Sequence, residues 1–178
     1  TTDLALDWLQ SREDKEKPFC LMLHHKAPHR TWMPDLCDLG RFDSIDFPIP
    51  ENFFDTYEDR VAAQQQEMSI FKDMDLVYDL KLADKENEIH SSYLEKWGRL
   101  LYNNLTEEQK NTWDAHYDPI IAEFKRQNLQ NEELAIWKYR RYMSDYLSVI
   151  YSLDRNIGRV LDYLDESGLA ENTLVVYV

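Results

Sequence analysis

The stretch Phe19-Cys20-Leu21-Met22-Leu23-His24-His25-Lys26-Ala27-Pro28-His29-Arg30 decides the reading of this chain. Its first five residues are apolar with no polar alternation, the pattern of a strand covered on both faces, as in a parallel sheet. The remainder holds three of the chain's five histidines, with a lysine and an arginine. Sites in open α/β sheets form at the carboxyl ends of strands, so His24, His25, Lys26, His29 and Arg30 are candidates for one rim of a site. So many cationic or titratable groups repel one another unless an anion is nearby. A sulfate, phosphate or carboxylate on a substrate would supply it. The plainer alternative is a solvated loop of mostly neutral histidines.

Upstream, Thr2 to Gln10 reads as a short helix with Leu4, Ala5, Trp8 and Leu9 on one face. Downstream, residues 25–59 read as an irregular active-site loop region. Pro28, Pro34, Pro48 and Pro50 prevent regular ladders, while Trp32, Phe42, Phe47, Phe53 and Phe54 predict that the loop is ordered against a core. Arg60 to about Phe71 can form a helix. Residues 72–130 read as a helical insertion. It has weakly specified helices over Lys72 to His90, then a helix over Ser91 to Tyr102. Another is capped by Thr106 with Gln109 in the capping-box position and broken before Pro119.

The longest element spans Asn131 to Gly168, with Asn131 as N-cap and Gly168 as C-terminal cap. Ile136, Tyr139, Met143, Tyr146, Leu147, Ile150, Leu153, Ile157, Val160, Leu161 and Leu164 trace its apolar face, which predicts packing on a sheet. Leu174 to Val178 is a second buried-strand candidate, parallel to the first. The order helix, strand, helical crossover, strand implies an α/β architecture with a mostly parallel sheet. Two strands make an incomplete sheet with apolar edges, so the chain reads as a piece of a larger protein.

Composition bounds the rest. The 178 residues include 34 acidic and 20 basic ones, a formal charge of -14. That balance opposes nonspecific binding to nucleic acid and to anionic membrane, and it makes the basic run around Lys26 stand out. The aromatic content of 13% argues against disorder. No window has the apolar length of a membrane span, and no signal peptide is legible. Cys20 reads as a free apolar core residue within the first strand.

The stretch KPFCLMLHHKAPHRTW resembles the strand and following loop of type I sulfatases, especially secreted bacterial enzymes that remove sulfate from glycans. The segment YLSVIYSLDRNIGRVLDYLDESGLAENTLVVYV resembles the same family's helix and strand, whose members usually carry Tyr146, Asp154, Ile157, Gly158 and Leu161 in this setting. PENFFDTYEDR also fits the bacterial branch. The resemblance implies a three-layer α/β/α alkaline-phosphatase-like sheet, incomplete in this chain. It implies hydrolysis of a sulfate ester by a formylglycine made from Cys or Ser, with calcium, in a periplasmic or secreted parent. The nucleophile signature, Cys or Ser followed by x-Pro-x-Arg, is absent from these residues, as are the paired metal aspartates. The modified residue and the metal ligands are therefore expected outside this chain, which is expected to be inactive alone.

By the same resemblance His29 is the catalytic candidate, contacting sulfate and aiding proton transfer at the ester oxygen. His24, His25 and Lys26 are candidate substrate-binding residues. Arg30 and Trp32 are candidates for a glycan subsite, by hydrogen bonding and stacking. Asp154 is read as structural support, accepting hydrogen bonds from a neighbouring loop. Gly158 is read as letting the helix approach closely. The expected partners are a sulfated carbohydrate and the remainder of the sulfatase polypeptide. Two other readings stay open. One is a zinc site from His24, His25 and His29 with Asp35 or Cys37; the other is a noncatalytic glycan- or protein-binding module.

Overall fold

The computed structural model describes residues 1–178. Six helices account for its regular structure: α1 (Thr2–Ser11), α2 (Val61–Gln65), α3 (Ile70–Asp73), α4 (Glu95–Asn103), α5 (Glu107–Gln127) and α6 (Asn131–Glu166). Two single 3₁₀ turns, Leu36–Asp38 and Ala170–Asn172, complete the set.

The expected sheet is not formed. The chain contains no strand, so the three-layer α/β/α architecture is corrected to an all-helical one. A strand exists through the ladder to its neighbour, and neither apolar run has a neighbour here. Phe19 to His24 is irregular, without helical or ladder structure, and its side chains alternate. Phe19, Leu21 and Leu23 are half-buried, while Cys20, Met22 and His24 are exposed. Cys20 is thus an exposed free thiol rather than a core residue. Leu174 to Val178 is likewise irregular and exposed, with Leu174 at 89%.

The core lies where the sequence pattern is weakest. Val77, Leu80, Leu82 and Ile89, all from the irregular segment after α3, pack with Trp113, Tyr117 and Ile121 of α5. The segment 74–94 forms no helix, contrary to expectation. Its hydrogen bonds are made instead by buried aspartates: Asp75 accepts from the backbone N–H groups of Val77 and Tyr78 at 2.9 and 2.7 Å. Asp84 accepts from those of Glu88 and Ile89. Short carboxylates compete with the backbone ladder in this way and favour turns over helix.

Helix α5 begins on the predicted capping box of Thr106 and Gln109. It continues through Pro119 instead of breaking. Trp113, Tyr117 and Ile121, four residues apart, are all buried, and this packing outweighs the lost backbone bond. Helix α1 buries Thr2, Ala5 and Leu9 against α6. Leu4 and Trp8, expected on that face, are 74% and 42% exposed.

The largest correction concerns α6, whose N-cap is Gln130 rather than Asn131. The residues it buries include Lys138, Arg141, Ser144, Asp145, Ser148 and Ser152. These lie between the apolar positions named above, of which Leu164 is buried, Leu161 is exposed and the rest are half-buried. The polar stripe faces the loops before and after α3 and satisfies their carboxylates and carbonyls. Lys138 Nζ donates to the carbonyls of Phe71 and Met74 at 2.9 and 2.8 Å. The apolar stripe has no sheet in this chain to cover it.

Candidate active-site loop

Residues 24–32 leave the extended run and turn at Lys26, whose carbonyl accepts the His29 N–H at 2.9 Å. The five basic or titratable residues part company at this turn. His24, Lys26 and His29 are exposed. His25 points inward, with Nε2 2.9 Å from the Thr2 hydroxyl of α1; burial holds its pKa below the ordinary imidazole value. His24 and His25, adjacent in extended backbone, thus differ in exposure as successive side chains of such a segment do.

The His29 ring is oriented by its own backbone. Its Nδ1 is hydrogen-bonded to the Arg30 carbonyl. A carbonyl only accepts, so Nδ1 carries the hydrogen and Nε2 is left for a ligand.

Arg30 is engaged from below. Its Nε and Nη2 donate to the two carboxylate oxygens of Asp79, the Nη2 contact being 2.5 Å. Asp79 is 1% exposed. Hydrogen bonding to Asp79 raises the guanidinium pKa further above its ordinary value. Arg30 Cζ also lies 5.2 Å from the centre of the Tyr78 ring. Trp32 packs edge-on to Tyr142 of α6, with ring centres 4.6 Å apart.

The two helical residues named from sequence stand apart from this loop. Asp154 is exposed. A Cβ at Gly158 would meet nothing within 4 Å. The tie from α6 to the loop region is made by their neighbours. Ser152 Oγ accepts the Asp35 N–H at 3.0 Å and donates to Asp38 at 2.8 Å. Arg155 Nη2 reaches Asp35 and Asp38 at 2.7 and 2.8 Å.

Comparison with known proteins now decides the lineage. The sulfatase family profile matches residues 1–178. The chain belongs to the sulfatase family. A curated relative from Bacteroides thetaiotaomicron, an N-acetylglucosamine-6-O-sulfatase, is 42% identical over 177 residues, covering 99% of this sulfatase chain and 31% of the relative. A solved structure of a protein in complex with its substrate, D-glucosamine-2-N,6-O-disulfate, matches with a TM-score of 0.80 at 42% identity. It covers 94% of this chain and 33% of that one. The chain thus spans about a third of the length of these relatives.

Membership of the sulfatase family implies calcium and formylglycine chemistry. One group of residues in this chain gathers possible metal ligands: atoms of Asp35, Cys37 and Asp38 lie within 4.8 Å of one another. They do not fit a divalent cation. Arg155 Nη2 already stands 2.7 Å from Asp35, 2.8 Å from Asp38 and 3.3 Å from Cys37 Sγ, so an added ion would face a guanidinium. The three loop histidines do not converge into a ligand group of the kind the zinc reading needs.

Several residues of this region escaped sequence reasoning. Asp79 and Asp38 lie outside every quoted motif, and Ser152 and Arg155 lie inside the quoted helix stretch without a role assigned from sequence, yet all four hold the loops. The usable signal was Asp75, Asp79 and Asp84 among Leu and Val, a spacing of acids within an apolar segment that a solvated helix would not need.

Proposed function

We propose that this chain forms one wall of the active site of a sulfatase that hydrolyses a sulfate ester on an amino sugar, in the class of glucosamine 6-O-sulfate. The observation that carries the reading is the 42% identity over 177 residues to an N-acetylglucosamine-6-O-sulfatase. The substrate named for the similar solved complex, D-glucosamine-2-N,6-O-disulfate, supports the same class. The remaining polypeptide supplies the formylglycine and the calcium ligands. The parent is periplasmic or secreted, as in the bacterial branch that the chain resembles; no helix is long and apolar enough to cross a membrane.

Within this wall His29 carries the proton. With Nδ1 committed to the Arg30 carbonyl, Nε2 is the atom that meets the ester oxygen. In the imidazolium form it donates to the departing alcohol, which removes the developing negative charge from a poor leaving group. Lys26 and His24, exposed beside it, offer cationic and hydrogen-bonding contacts for sulfate oxygens. Trp32, fixed by Tyr142, and Arg30 border the sugar.

The test uses the full-length, matured polypeptide with glucosamine 6-sulfate. His29→Ala is expected to lower sulfate release by about 10²- to 10⁴-fold, the usual range for a general acid. An unchanged kcat/KM would remove His29 from the mechanism. Release of sulfate from residues 1–178 alone would overturn the assignment of this chain as a wall rather than a whole site.

A further inference from the structure

We propose that Asp79 is a positioning residue, which sets the His29 imidazole by gripping Arg30 from inside the fold. The inference rests on the reading of His29 as the proton-transfer group, but its geometry is independent of the substrate. Arg30 contributes two groups. Its carbonyl holds His29 Nδ1, and its guanidinium is clasped by both oxygens of Asp79. The peptide that orients the ring is therefore anchored through the side chain of the same residue.

The anchor is rigid because Asp79 is itself built in. Its carboxylate is almost fully buried, and Oδ2 also accepts the Asp75 N–H at 2.8 Å. Asp75 in turn accepts from the N–H groups of Val77, Tyr78 and Ser92. Lys138 of α6 holds the preceding carbonyl of Met74 at 2.8 Å. A buried carboxylate with these fixed donors cannot follow a moving arginine. Two parallel N–H···O contacts also fix the guanidinium plane, which a single contact would leave free to rotate. Thr31, the next residue, is 6% exposed, so the chain is seated on the far side as well.

This arrangement separates two roles for Arg30. A sugar-binding arginine acts through its free Nη1 edge, and losing it raises KM. A strut acts through its carbonyl, and losing it misplaces the ring and lowers kcat.

The experiment uses full-length, matured enzyme, with Asp79→Asn and Arg30→Lys compared with wild type. Asparagine offers an acceptor at only one of its two terminal atoms and so cannot receive the parallel fork, and lysine cannot donate one. Each variant is expected to lower kcat about tenfold or more, as a small misplacement of a reacting group does, with KM within about twofold. In parallel, ring ¹⁵N shifts of His29 are expected to report one Nδ1-protonated tautomer in wild type and a mixture in the variants. A merely structural role would reduce the folded fraction without altering the tautomer of the folded molecules.

Arg30→Lys keeps a positive charge against Asp79, so it answers the question if Asp79→Asn does not fold. Wild-type kcat and a single tautomer in folded Arg30→Lys would overturn the proposal, as would a large rise in KM with kcat intact. If instead His29→Ala is fully active while the tautomer shifts as expected, the catalytic reading fails and the positioning geometry stands.

Discussion

Lys81 Nζ lies 2.8 Å from Asp145 Oδ2, and both side chains are at least 95% buried, at 5% and 2% exposure. This pair joins the irregular segment before α4 to the middle of α6. Arg141 and the Tyr117 hydroxyl also donate to Asp145 Oδ1, and Arg141 reaches Asp43 at 2.8 Å. Removing one member leaves the other charge buried without its partner. Asp145→Ala is expected to cost about 3–5 kcal/mol. Replacing both, as Lys81→Met with Asp145→Leu, is expected to recover part of that loss, because the desolvation of two charges disappears with the pair while Arg141 keeps Asp43 and the Tyr117 hydroxyl alone loses its acceptor. Chemical unfolding of the polypeptide carrying this chain reads both values; a double variant weaker than the single one would refute the account.

The same charged interior predicts acid sensitivity in two stages. Burial lowers the pKa of His116 from its ordinary 6.5, Asp43 opposing. The unfolded chain then binds a proton that the folded one refuses, so stability falls as pH drops below about 6.5. Asp38, Asp43, Asp75 and Asp84 supply the second stage. Burial alone would raise these carboxyls, but their hydrogen bonds and nearby cations hold them below the ordinary range. Their stabilisation is complete above the unfolded value of about 3.9 and is lost as pH falls through the lower folded values. Unfolding midpoints between pH 7 and 2 are expected to show both declines. His116→Gln is expected to weaken the first, leaving the share that His25 contributes through its own burial-lowered pKa, and to keep the second.

Two helical glycines should respond oppositely to alanine. A Cβ on Gly98 of α4 would stand 2.7 Å from the Val77 carbonyl oxygen, a backbone atom that cannot swing away. Gly98→Ala is expected to destabilise by about 1–3 kcal/mol despite its better helix propensity. Gly158 of α6 has open space at the same position. Gly158→Ala is expected to stabilise by about 0.4–1 kcal/mol. Thermal midpoints of the two variants, moving in the same direction, would contradict this packing.

What the sequence made legible was local. The capping box at Thr106 and the extent of α6 each depend on residues within a few positions of one another. The family relationship was legible for a similar reason, since KPFCLMLHHKAPHRTW is a contiguous signature. The sheet was misread because the apolar runs at Phe19 and Leu174 record what these segments suit, whereas a strand also needs a partner that this chain does not provide. The buried side of α6 was misread because hydropathy assigns Lys138, Arg141 and Asp145 to solvent. Their partners, Met74, Asp43 and Lys81, lie at least 64 residues away in the chain. Asp79 was invisible for the same reason, standing 49 residues from Arg30.

Helix α6 touches its neighbours at Lys138, Arg141, Asp145, Ser152, Arg155 and Arg159, the last bonded to Asp3 of α1 at 2.6 Å. Each tie depends on how far along and how far around the cylinder its residue sits. One residue inserted between Asp145 and Ser152 would advance everything after it by about 1.5 Å and turn it by about 100°. Ser152 and Arg155 would then leave Asp38, and Arg159 would leave Asp3, while the earlier ties stayed in place. Length variation among descendants of this chain should therefore collect in the loops and spare α6, where single substitutions are tolerated far more readily than a change of count.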